Sequence, residues 1–99
     1  MSPKITIDRE HIVGFCLRNH IRKLAFFGSV LRDDFGEDSD VDVLVEFEPG
    51  HPVGLIRMAG MEIEFTTIIG RKVDLRTPND LSRYFRDKVV AEAEVQYAA

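Results

Sequence analysis

The chain of 99 residues has no tryptophan and a single cysteine, Cys16. One thiol excludes an internal disulfide, and a reducing, cytoplasmic setting is expected. No apolar run approaches the roughly 20 residues of a membrane span, so no membrane partner is expected. The start, Met1-Ser2-Pro3-Lys4, lacks the apolar stretch of a secretion signal. A long basic tract is missing too. Lys and Arg fall in small groups at Arg18/Arg22/Lys23, Arg71/Lys72/Arg76 and Arg83/Arg86/Lys88, within a net charge of -4. Direct binding of polymeric nucleic acid is therefore not expected, while a nucleoside triphosphate carried with divalent metal remains compatible. There is no repeat, low-complexity tract or linker, so residues 1–99 read as one domain with a modest core. Apolar residues make up 44% and charged residues 30%, which is the balance of a globular protein and not of a disordered one.

What is present alternates between helix and strand. Asp8 is placed to cap a first helix, with Ile7 and Ile12 as its hydrophobic staple, ending near Asn19-His20. Lys23 to Phe27 is a short buried strand ending at Gly28. Ser29 to Phe35 has the length of two helical turns, and Gly36-Glu37-Asp38-Ser39 is a polar turn. Asp40 to Phe47 alternates with period two: Val41, Val43 and Val45 share one face, and Asp40, Asp42, Leu44 and Glu46 share the other. Val53 to Ile69 is a helix closed by Gly70. Its apolar surface wraps two sides, interrupted by Glu62 and Thr66, so a second packing partner is required: either the last helix or another protein. Lys72 to Arg76 is a third strand, and a helix from about Asp80 to Ala93 follows. The order is α-β-α-β-α-β-α, and the class is α/β (α+β).

Two carboxylates inside a strand need a reason. Asp40 and Asp42 leave the same face, and at about 5 Å they repel by roughly 3 kcal/mol at an effective dielectric of 20. A hard divalent cation, Mg²⁺ or Mn²⁺, removes that conflict. Asp74, mid-strand among apolar residues, is a third carboxylate that can join the metal site and accept a proton from an attacking hydroxyl. Two ions about 3.5–4 Å apart would then clamp the attacking and leaving oxygens. Gly28-Ser29, between strand and helix, offers backbone N–H groups and a hydroxyl to a phosphate.

Gly28-Ser29, ten residues and then Asp40-Val41-Asp42 form a G-S-x10-D-x-D pattern. With Gly70-Arg71-Lys72-Val73-Asp74-Leu75 and the closing EAEVQYA, nearly the whole chain resembles the minimal branch of the nucleotidyltransferase superfamily that includes DNA polymerase beta. The resemblance implies a small mixed β-sheet flanked by helices. It implies Mg²⁺-dependent transfer of a nucleoside monophosphate, commonly AMP from ATP, to an acceptor hydroxyl. It implies an antitoxin role within a homo- or hetero-oligomer, with a helical HEPN toxin as partner and a toxin tyrosine as acceptor. By position, Asp40, Asp42 and Asp74 match the catalytic metal ligands, and Gly28 and Ser29 match the phosphate loop. Many members carry Arg directly after Gly-Ser; here that residue is Val30, and Arg32 is the nearby cation for the β- and γ-phosphates. The alternative is an antitoxin that works by binding alone, its nucleotide site vestigial.

Other residues have plainer readings. Asp33, Asp34, Glu37 and Asp38 are solvated loop charges. Ser39 is a turn residue, Cys16 a small core residue, and Tyr84 and Tyr97 packing or interface residues. His51 sits in an exposed loop, and His11 and His20 belong to the first helix without forming a ligand cluster.

Overall fold

Asp8 opens the first helix as its position predicts: its carboxylate accepts the Glu10 N–H at 2.9 Å. In the computed structural model, which describes residues 7–32, 35–36 and 38–99, this helix is α1, Arg9–Arg18. Met1 to Lys4 and the charges at Asp33, Asp34 and Glu37 lie outside the described residues. α1 turns Ile12, Phe15 and Cys16 inward. It stops at Asn19, whose side-chain amide donates to the Phe15 carbonyl at 2.9 Å and so satisfies one of the last free carbonyls.

Four strands follow: β1 Ile21–Phe27, β2 Val41–Phe47, β3 Val73–Arg76 and β4 Glu94–Ala98. Their order across the sheet is β3-β2-β1-β4. β1 runs antiparallel to both β2 and β4, while β2 and β3 are parallel. The parallel pair needs a crossover, which α2, Leu55–Ile69, provides. Gly70 ends α2 in the left-handed region at φ 79°, as a C′ glycine should. This is the small mixed sheet with helices that the family resemblance implies.

Alternation in β2 decides which face is covered. Val41, Val43 and Val45 are fully buried beneath α1 and α2, in one core with Leu24, Phe26, Met61, Val73 and Leu75. Phe15 of α1 stacks on Phe65 of α2 with ring centroids 4.4 Å apart, locking the two helices together. Burial pushes the Cys16 thiol up to about 12, so it stays protonated and inert.

Two local expectations change. Gly28 to Leu31 forms a single 3-10 turn instead of the start of a two-turn helix over Ser29 to Phe35. The final segment is also divided. A 3-10 turn at Pro78–Asp80, closed by a capping box between Thr77 and Asp80, precedes α3, Arg86–Glu92, and Ala93 is extended. Within the EAEVQYA tail, Glu94–Ala98 then forms β4 and pairs with β1, giving a fourth strand after the last helix. Ala and Glu favour helix locally, but β1 would otherwise present a bare edge, and pairing satisfies both sets of backbone groups.

The other sheet edge is treated differently. β3 is an edge strand whose outward N–H groups meet side chains of α2: Val73 N–H donates to Thr66 Oγ1 at 3.0 Å and Leu75 N–H to Glu62 Oε2 at 2.7 Å. These are the two polar residues that interrupt the apolar surface of α2. Leu55, Ile56 and Ile63 on the same helix remain exposed, so the last helix does not cover them.

Candidate active site

The uncovered face of the sheet carries one row of side chains at its end. Phe27 of β1 pairs with Asp42 of β2, and Asp42 pairs with Asp74 of β3. Residues opposite one another in a ladder share a face. Asp42 and Asp74 are therefore side by side, with the β1 end and Gly28 alongside. Gly28 has φ 73°, and a Cβ there would overlap Asp42 Oδ2. Only glycine permits this approach of backbone to carboxylate. The Ser29 hydroxyl donates to the Asp40 carbonyl at 3.3 Å, tying the turn to the start of β2.

The carboxylates act on one another. The affinity of Asp42 for its proton is raised, first by burial and then by the charges of Asp74 and Asp40; Arg76 and a backbone hydrogen bond from Ser29 pull the other way. Arg76 forms an ion pair with Asp74 at 3.1 Å, and that hydrogen bond is the main reason its own basicity rises. Lys72 lies 3.9 Å from Asp40. Each of the two cations offsets the charge of one neighbouring carboxylate. Among the described residues, Asp40, Asp42 and Asp74 do not close into a set with all ligand atoms within 4.8 Å. Like charge concentrated on hard oxygen donors is nevertheless the donor chemistry that fits Mg²⁺ or Mn²⁺.

Two cavities flank the row. One, of about 610 Å³, lies between the Gly28 turn and α3 and is lined by Phe27, Gly28, Leu31, Arg32, Phe85 and Lys88, among others. The other, of about 410 Å³, lies beyond β3 and includes Asp74, Arg76 and Glu62. Arg32 is thus exposed at the mouth of the first cavity. Val30 is fully buried and faces the core, so it contributes nothing polar.

The expected helix N-terminus at Ser29 shrinks to one turn, and its N–H is already engaged with Asp42. A helix dipole is therefore not a large part of this site. The sequence reading missed Phe85 and Lys88, because only the tertiary fold brings α3 beside Gly28. It also missed Glu62 and Thr66, although their interruption of an apolar helix surface was a usable signal. By holding β3 they position Asp74.

Known proteins share this fold. The family model for the nucleotidyltransferase domain matches residues 9–97. The protein adenylyltransferase MntA of Thermococcus cleftensis is 33% identical over 72 residues, covering 73% of this chain and 71% of that protein. A solved minimal nucleotidyltransferase superposes with a TM-score of 0.70 at 34% identity, covering 86% of this chain and 85% of the other. The fold also matches, with a TM-score of 0.67 at 17% identity, a chain in a structure of a tri-AMPylated Shewanella oneidensis HEPN toxin in complex with an MNT antitoxin. That match covers 92% of this chain and 70% of the other.

Proposed function

Because the chain belongs to the nucleotidyltransferase family, in its minimal branch, we propose that it transfers AMP from ATP to a hydroxyl of a partner protein. The acceptor is a tyrosine of a helical HEPN-type toxin, and the transfer silences that toxin. The observation that carries this reading is the shared row of Asp42 and Asp74 beside Gly28. Asp40, Asp42 and Asp74 would hold the divalent ions. When bound, these ions neutralise the carboxylates and polarise the phosphate oxygens.

The chain's own residues do the rest. Gly28 and Ser29 let the triphosphate lie close to the backbone, and Arg32 at the cavity mouth meets its outer phosphates. Asp74, oriented by Arg76, takes the proton of the acceptor hydroxyl. The oxygen attacks the α-phosphorus, a new P–O ester bond forms, the bond to the β-phosphate bridge breaks, and pyrophosphate leaves. The exposed Leu55, Ile56 and Ile63 of α2 give the partner an apolar surface to cover.

A second reading, neutralisation by binding alone, draws on Val30, which stands where many relatives carry a phosphate-binding Arg and is buried here. One experiment separates the two. The protein is incubated with ATP, Mg²⁺ and the protein encoded beside it, and intact masses are measured. A gain of one or more AMP on the partner supports transfer. A tight complex with unchanged masses supports binding alone.

A further inference from the structure

We propose a second cation site, for a transition-metal dication of the zinc type, formed by His20, Glu48 and His51 at the far end of the sheet. The ligand atoms of these three residues all lie within 4.8 Å of one another. Among the described residues, no other His, Cys, Asp and Glu side chains form such a set. The sequence placed His20 in the first helix with no ligand partner. The chain instead leaves α1 before His20, which adopts φ 55°, an uncommon value for a residue other than glycine.

The local fold is what assembles the three. The Glu48 N–H donates to the His20 carbonyl at 2.8 Å, extending the ladder beyond the Ile21–Phe47 pair. Glu48-Pro49-Gly50-His51 then forms a tight turn closed by the His51 N–H on the Glu48 carbonyl at 3.3 Å. Pro49 and Gly50, the latter at φ 84°, occupy the positions a type II turn assigns to proline and glycine. This turn folds His51 back over His20, and the two rings stack with centroids 3.9 Å apart and planes within 6°.

The donor set differs from that of the aspartates. Two imidazoles and one carboxylate are the borderline ligands that zinc takes, whereas an all-carboxylate set suits magnesium. Tetrahedral zinc separates its ligand atoms by about 3.4 Å. The present set needs a small inward movement and a turn of one ring out of the stack. His51, exposed on its turn, supplies that movement. Three protein ligands leave the fourth position open to water or to a group from another molecule. Glu48 and Asp42 are separated along β2 by about 20 Å, so this ion takes no part in the transfer chemistry. It would cross-link the α1–β1 turn to the β2–α2 loop and stabilise the folded chain.

The test uses the full chain without a histidine tag, stripped with chelator and titrated with zinc chloride by calorimetry, with bound metal counted by mass spectrometry. The expected result is one zinc per chain, retained in Asp42→Asn and in His11→Ala. Affinity should fall at least tenfold in His51→Ala and in Glu48→Gln. Zinc should raise the melting midpoint of the wild type and leave that of His51→Ala unchanged; far-UV circular dichroism checks that this variant is folded. Absence of zinc binding by the wild type, binding unchanged in His51→Ala, or loss of zinc in Asp42→Asn would each overturn the assignment.

Discussion

The two faces of β2 differ in what fixes their residues. On the covered face Val41, Val43 and Val45 are held by packing, each fully buried in the apolar core. On the open face Asp42 sits where burial and two neighbouring carboxylates all oppose its ionisation. One strand therefore packs the core with Val41, Val43 and Val45 and presents Asp42 on its other face, where Leu44 is buried as well. The lesson is that stability and activity should be separable by substitution, face against face.

The largest effect should come from the open face. Replacing Asp42 and Asp74 together by Ala should reduce AMP transfer by about a thousandfold or more, roughly 4 kcal/mol at the barrier. The melting midpoint should stay level or rise, because like charge is removed and no core volume is lost. A steady-state assay with radiolabelled ATP, paired with thermal melts on the same samples, reads both. The mirror experiment is Phe65→Ala. This ring is fully buried against Phe15, and its loss should cost about 3–5 kcal/mol of stability, measured by urea unfolding. Per folded molecule, its transfer rate should stay near wild type.

Glu62→Ala sharpens the comparison, since Glu62 belongs to the covering helix and acts through the β3 edge. Loss of the acceptor for the Leu75 N–H should cost about 1 kcal/mol. Transfer should also fall several-fold as Asp74 loses its alignment, with Glu62→Gln, which keeps an acceptor oxygen, restoring most of both. If stability falls in Glu62→Ala while transfer is untouched, Glu62 supports the sheet without positioning Asp74.

The smallest effect concerns pH. With its proton affinity raised in the fold, Asp42 contributes stability that is complete below the unfolded aspartate value of about 3.9 and is lost as pH rises through its raised value. In the metal-free protein, Asp42→Asn should therefore raise the melting midpoint at neutral pH. The difference should vanish below about pH 3. A midpoint difference that does not change with pH would contradict the charge crowding.

Much of this is legible in the sequence. The period-two pattern of Val41 to Glu46 gives both faces of β2 directly, and the spacing from Gly28-Ser29 to Asp40 and Asp42 marks the turn and the strand start. Asp74 was legible as a charge without an apolar reason to be in a strand; its pairing with Asp42 required the parallel register. β4 was hidden because its five residues are flanked by helix formers, and its partner β1 lies some seventy residues away in sequence. The basic groups that pair with Asp40 and Asp74 were also hidden, since Lys72 and Arg76 read only as scattered surface charge.

The open-face carboxylates should bind divalent metal. Manganese binding in the presence of a non-hydrolysable ATP analogue, followed by electron paramagnetic resonance, tests it most directly. Wild type and His51→Ala should take up manganese equally, and Asp42→Asn should bind it at least tenfold more weakly while keeping its circular dichroism spectrum. Equal manganese affinity in the wild type and Asp42→Asn would contradict the account.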